Sequence, residues 1–300
     1  LDEFSQLTIR NKTLRIDADP ANGVYKISDN GRGVPIDKHS TGKYTPEVVF
    51  GSLRSGRNFT DDKEVGVVGM NGVGSSCTNY CSEYFEVEIN RDGQKYTQKF
   101  TNGGLKASKP VIVAAGKATG TSVSFKLDPA VFSSVALPEQ LIRNRAVEIA
   151  MANPDVTVYY NGDKIKYDKG MSEIVSNLAA TKSMQTFTFS DGNVHGDIHV
   201  IFDGHRGQEE QMFTWVNSSY LFDGGKCNTQ FFNAFFDRVI DTLQPQARKA
   251  KADVTRNDVR SGLLVFANLK VKNPEYDSQA KTRLTGPDMR KDIVAVIYST

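Results

Sequence analysis

Cysteine is scarce. Only Cys77, Cys81 and Cys227 occur in 300 residues, an odd and sparse set that excludes a disulfide framework and fits a reducing compartment. No apolar run approaches the roughly 20 residues that cross a bilayer as a helix. No signal peptide opens the chain, which also lacks a starting Met and reads as a fragment. Charge of neither sign dominates: 37 Lys and Arg against 35 Asp and Glu leave a formal net charge of +2. That balance argues neither for nor against nucleic acid, because phosphate contacts depend on local clusters. Metal-ligand spacing is missing too. Cys77 and Cys81 lie four apart in an expected helix and should pack as small apolar residues. His195 and His199 of "VHGDIHVIF" share one strand face, with no further ligand at a useful distance.

What is present describes an ordinary globular chain, 39% hydrophobic and 24% charged. Its length favours two domains, with composition changing between Asp168 and Lys182. The expected division is 1–172 and 173–300, each an α+β layer of sheet and helix. "LRIDADP", the Asn22-Gly23 turn and "VYKISD" predict a hairpin. "EYFEVEINRDGQKYTQKFT" predicts a second, turning at Asp92-Gly93. Helices are expected over "TPEVVFGSLRSG", "SSCTNYCSEYF" and "PEQLIRNRAVEIAMANP". In the second half "MQTFTFSD", "HGDIHVIFDG" and "EQMFTWVNSS" alternate as antiparallel strands do. After Gly224-Gly225 a long helix follows that Pro245 should interrupt.

Two stretches carry chemistry. "ISDNGRGVP" sets Asp29 at a strand end, where a carboxylate of fixed direction can accept the exocyclic amine of a purine. Gly31 and Gly33 leave room for a flat ring, and Val34, Ile36 and Val123 offer apolar walls. "GMNGVG", Gly69 to Gly74, leads into a helix, so its backbone N–H groups can cradle phosphates. No Gly-Lys-Ser/Thr follows, which excludes a Walker loop.

These motifs in order, "DNGRGVP", "VGMNGVGSSCTNYCS" and "GTSVSF", resemble the Bergerat-fold ATPases: gyrase, Hsp90, MutL and histidine kinases. "WVNSSYLFDGGKCNTQFFNAF" and "DVRSGLLVFANLKVKNPEYDSQAKTRL" resemble the transducer domain of type IIA DNA topoisomerases, so the resemblance covers essentially the whole chain. It implies a two-layer Bergerat sandwich, then a transducer with an antiparallel-rich sheet and a long helix. It implies ATP and Mg2+ as cofactors. Asp29 would bind adenine, with Thr121 supporting it and Gly31, Gly33 and Val34 beside the base. Met70, Asn71, Gly72, Val73 and Gly74 would form the phosphate loop. Glu3 and Arg32 would form an ion pair beside the pocket. Gln279 and Lys281 would reach the terminal phosphate, although "SQAK" stands where the family has Ser-Gln-Thr-Lys. Losing that phosphate removes a charge-assisted contact worth roughly 1.5–3 kcal/mol, enough to bias a hinge.

By the resemblance, the family's water-polarising Glu and magnesium-binding Asn would lie about six and about two residues before Leu1, on the helix that leads into Asp2, which would be the one pocket residue of that helix face within the 300 residues. The 300 residues as they stand are therefore expected not to hydrolyse ATP. No Tyr sits in a DNA-cleaving context. Arg238, Arg248, Lys249, Lys251, Arg256 and Arg260 gather on and after the long helix, and Arg248, Lys249 and Lys251 are the expected DNA contacts. Expected partners are duplex DNA, a second copy of the chain and a DNA-cleaving domain or subunit, with no membrane. The expected compartment is a bacterial or phage-infected cytoplasm, or a nucleus if the source is eukaryotic. Alternative readings are a MutL-like or Hsp90-like ATPase, or a nucleotide-gated dimerisation module that does not hydrolyse.

Overall fold

The computed structural model describes residues 1–5, 7–9, 11–55, 65–67, 69, 72–180, 183–190, 192–202 and 209–299. The chain divides into two units. The first comprises Leu1–Thr60 and Gly69–Asp168, the second Asp61–Val68 and Lys169–Thr300.

The first unit contains α1 (Asp2–Ser5), β1 (Lys12–Asp19), β2 (Val24–Asp29), α2 (Thr45–Gly51), α3 (Gly74–Tyr80), β3 (Ser82–Arg91), β4 (Gln94–Thr101), β5 (Lys106–Ala107), β6 (Val111–Ala114), β7 (Gly120–Leu127), α4 (Glu139–Ala152), β8 (Val156–Tyr160) and β9 (Asp163–Ile165). Its described strands form one sheet in the order β5-β4-β3-β7-β2-β1-β8-β9, with β6 also paired to β4. Both expected hairpins form. Residues 20–23 connect β1 to β2, with Gly23 at φ +65°, and Asp92 and Gly93 take +51° and +74° between β3 and β4, as a tight two-residue turn requires. Alternation decides which face is covered. Phe85, Val87 and Ile89 of β3 are buried with Phe50, Tyr96 and Phe100. Glu86 and Glu88 point the other way and pair across to Lys99 and Lys95 at 2.6 and 2.8 Å. Ala146, Ile149 and Ala150 of α4 close a second cluster over Ile16, Val158 and Tyr160. β2 is thus an inner strand, and Asp29 is its last residue.

The second unit contains α5 (Met171–Ala179), β10 (Met184–Phe189), β11 (Val194–Phe202), β12 (Gln211–Val216), β13 (Ser219–Tyr220), α6 (Lys226–Lys249), α7 (Arg256–Arg260), β14 (Leu263–Val271), β15 (Glu275–Tyr276), β16 (Leu284–Gly286) and α8 (Arg290–Ser299). The sheet runs β10-β11-β14-β12-β13, and β15 and β16 form a separate ribbon. Phe231 and Phe236 of α6 and Ile293 and Ile297 of α8 bury against Val194, Ile198, Val265, Ala267 and Leu269.

Several sequence expectations are corrected. β12 runs parallel to its neighbour β14, because α6 and α7 lie between the two strands and carry the chain back as a crossover. Helix α6 is not interrupted: it continues through Pro245 to Lys249. Pro245 is exposed, as is Asp241, the residue whose carbonyl its missing N–H leaves without a helical donor. Helix α3 stops at Tyr80, and the chain enters β3 at Ser82. The Thr78 hydroxyl donates to the Gly74 carbonyl and the Ser82 hydroxyl to the Thr78 carbonyl, diverting bonds around the helix end. Cys77 is consequently exposed, while Cys227 is the buried cysteine. Helix α5, over "MSEIVSNLA", has no counterpart among the helices expected from the sequence.

His199 is buried on β11, with Nδ1 2.9 Å from the Thr186 hydroxyl. Burial holds its imidazole below the usual value, and Asp197 opposes this weakly. The folded chain therefore keeps His199 neutral where the unfolded chain protonates, so stability falls as pH drops below about 6.5. His199→Gln should flatten that part of the pH dependence of thermal unfolding. Parallel melting-versus-pH curves for the variant and the parent protein would contradict this.

Candidate functional site

Asp29 leaves the sheet between β1, where it registers with Leu14, and β7. Its Oδ1 accepts the Gly31 N–H at 2.8 Å. Burial raises the carboxyl above its ordinary value and Glu3 adds to the rise, while the Gly31 hydrogen bond and the nearby Thr121 N–H lower it. The half-buried carboxylate therefore carries a desolvation penalty that backbone donors offset only in part.

The turn that follows is tied from every side. The Arg91 guanidinium donates to the Gly33 carbonyl at 2.6 Å, and Val34 N–H donates to the Thr121 hydroxyl at 3.2 Å. Asn30 accepts from Thr13 N–H and donates to the Asn11 carbonyl. The glycines have reasons beyond leaving room for a ring. A Cβ on Gly31 would lie 2.7 Å from Glu3 Cγ and 2.9 Å from Asp29 Oδ1. Gly33, at φ +80°, would meet the Asn90 and Gly120 carbonyls at 2.8 and 3.1 Å. Val34, Ile36 and Val123 pack on the Phe50–Phe85–Phe100 cluster.

Helix α1 braces the same corner. Glu3 takes Arg32 in a forked pair, Nε to Oε1 at 2.5 Å and Nη2 to Oε2 at 3.0 Å, and also accepts the Arg32 backbone N–H. Asp2 Oδ2 accepts the Gly69 N–H at 2.8 Å, so one helical turn holds both the Asp29 turn and the start of the Gly-rich stretch. Met70 and Asn71 lie outside the described residues. Gly72 takes φ +59°, and Val73 and Gly74 lead into α3. Asn79 and Tyr80 anchor α3 on α2 by donating to the Phe50 and Gly51 carbonyls at 3.0 and 2.9 Å.

In the second unit Gln279 and Lys281 stand at the tip of the hairpin joining β15 to β16. Lys281 N–H donates to the Ser278 carbonyl, and its ammonium lies 5.9 Å from the Tyr276 ring centroid. The hairpin is pinned at its base by Asp223 N–H to Thr282 O and Leu284 N–H to Gly224 O, both 3.0 Å. Of the six basic residues singled out, Arg238 stacks on Tyr298, Arg256 pairs with Asp237 and Arg260 forks onto Glu210. Arg248, Lys249 and Lys251 are exposed at the C-terminal end of α6.

Sequence reasoning missed Gly120. At φ +142° its α-carbon abuts the Asp29 carbonyl, and any Cβ would overlap that oxygen. The one local signal was a glycine in "TGTS" just where a strand begins. Asn217 was missed as well. It is buried, and its side chain binds the Val67 carbonyl and both backbone groups of Val271.

A sequence model of the DNA gyrase B family matches residues 157–300. The type 2 topoisomerase B subunit of Aquifex aeolicus is 31% identical over 285 residues, covering 91% of this chain and 36% of its own length. The topoisomerase 4 B subunit of Staphylococcus epidermidis is 30% identical over 291 residues, covering 92% of this chain and 44% of its own. The chain is thus similar to type II topoisomerase B subunits over about nine-tenths of its own length. It spans less than half the length of these topoisomerase relatives. The topoisomerase fold is matched independently. The ATPase region of Saccharomyces cerevisiae topoisomerase II superposes with a TM-score of 0.77 at 22% identity, over 96% of this chain and 77% of that one. The 43K ATPase domain of Thermus thermophilus gyrase B, solved with an aminocoumarin, gives 0.71 at 22% identity, over 99% and 79%.

Gly120→Ala should cost roughly 1–3 kcal/mol of stability, the range of a strained backbone plus a steric overlap. Urea unfolding checks it, and a midpoint equal to that of the parent protein would contradict the packing described.

Proposed function

We propose that this chain is the ATP-binding and transducer part of a type IIA DNA topoisomerase, in which ATP closes a dimer clamp on duplex DNA and hydrolysis resets it. The observation that carries the reading is Asp29: a carboxylate kept half-buried at a strand end despite its desolvation penalty, aimed by the Gly31 N–H. A fixed acceptor of this kind suits a purine amine, and the similarity to the ATPase regions of topoisomerases supports adenine as its partner.

The phosphates would lie along Gly72, Val73 and Gly74 with Met70 and Asn71, beside the corner that Asp2, Glu3 and Arg32 brace. Backbone N–H groups and a helix start suit an anion. Gln279 and Lys281 are proposed for the terminal phosphate, a role their place at a pinned hairpin tip supports. Mg2+ would ride on the phosphates, as that ion ordinarily does; when bound it would neutralise their charge. Arg248, Lys249 and Lys251 are proposed to face duplex DNA, and a second copy of the chain and a DNA-cleaving subunit complete the assembly. A MutL-like or Hsp90-like reading gains no support from the relatives found.

Asp29→Asn separates this reading from a structural one. With its carboxyl raised, Asp29 costs stability that grows as pH rises from about 3.9 through the folded value. The variant should therefore melt no lower than the parent protein at a pH of about 7.5, where the parent carboxyl is ionised. It should nonetheless bind a non-hydrolysable ATP analogue at least about tenfold more weakly by calorimetry, the loss of one charged hydrogen bond. Undiminished affinity in a folded variant would sink the proposal.

A further inference from the structure

The second unit holds a groove apart from the hairpin tip and the basic end of α6. It encloses about 530 Å3 between the first half of α6, β16 and α8, within the range of small-molecule sites. Three cations line it from three separate segments: Lys226 at the start of α6, Arg283 just before β16, and Arg290 at the start of α8. Thr229, Gln230 and Asn233 supply neutral polar groups between them.

The floor is rigid. Gln230 is only 6% exposed; its Nε2 donates to Asp288 Oδ1 at 2.8 Å and its Oε1 accepts Met289 N–H at 3.1 Å, which staples α6 to the start of α8. Leu284 is held to Gly224 and Gly225 on the other side. The carboxylates nearby are already engaged. Asp237 takes the Arg256 guanidinium at 2.6 Å, and Asp288 accepts from Gln230 and the Arg290 N–H. Asp288 lies 3.9 Å from the Arg290 side chain, too long for a hydrogen bond. No acidic residue occupies the first turn of α6. Three cations, Lys226, Arg283 and Arg290, therefore share the groove lining with one carboxylate, Asp237, itself paired with Arg256, while Asp288 beside the groove acts on Lys226 and Arg290.

We propose that this groove binds a small phosphate-bearing anion of the pyrophosphate class. The ligand would bridge Lys226, Arg283 and Arg290 and so fasten the β15–β16 hairpin to α6 and α8. Binding there does not depend on nucleotide binding at Asp29.

Hydrogen exchange with inorganic pyrophosphate tests it on the whole chain. Pyrophosphate should slow exchange over the segments that wall the groove, from Gly225 to Ala234 and from Arg283 to Val294. Lys226→Gln and Arg283→Gln should each raise the half-saturating concentration about tenfold, the loss of one charge-assisted contact, while Asp29→Ala leaves it unchanged. No slowing at these segments in the parent protein would overturn the proposal. So would half-saturation unchanged from the parent in both groove variants, with melting temperatures that match the parent. Slowing there by a short DNA duplex but not by pyrophosphate would also overturn it, and would make the groove a DNA face.

Discussion

The corner of the first unit depends on the meeting of Asp29 with the start of β7. Gly120 lets the β7 backbone lie against the Asp29 carbonyl, and the Thr121 hydroxyl then accepts the Val34 N–H. With the Gly31 N–H on the Asp29 carboxylate and the Val34 N–H on the Thr121 hydroxyl, the strand end, the turn and the neighbouring strand are joined. The rest of the corner is built around this junction. Glu3 can fork onto Arg32 only because the turn is fixed, and Asp2 holds Gly69 from the same helical turn.

This arrangement costs stability. A carboxylate raised by burial is a poor choice for holding a fold together, since an apolar or amide side chain could fill the place without desolvating a charge. Such a group is what a binding site requires: an acceptor already stripped of most of its water and aimed by backbone donors that do not rearrange. The second unit uses its polar groups differently. They pin loops, as Asn217 does across Val67 and Val271 and Gln230 does across α6 and α8.

Much of this was legible in the residues. The two-residue turn at Asp92-Gly93 and the positive φ of Gly23 in the β1–β2 loop follow from backbone preference alone, while the roles proposed for Asp29 and the Gly69–Gly74 stretch rest on the family resemblance. The Glu3–Arg32 pair also forms where the family resemblance places it. What was hidden depends on contacts distant in sequence. The parallel pairing of β12 with β14 arises from a crossover through α6 and α7, which alternation cannot reveal because it reads the same in either direction. Pro245 stays within α6 because the helix face there is open to water and tertiary packing earlier along α6 holds the helix. Gly120 is a glycine because of Asp29, far earlier in the chain, and no local pattern marks that.

The central proposal, that Asp29 reads a purine amine, is tested most directly by calorimetry. A non-hydrolysable ATP analogue would be compared with its inosine counterpart, which carries a carbonyl where adenine has the amine. Recognition by Asp29 predicts that the inosine compound binds at least about a hundredfold more weakly, since a buried acceptor then faces another acceptor. Equal affinities would contradict it.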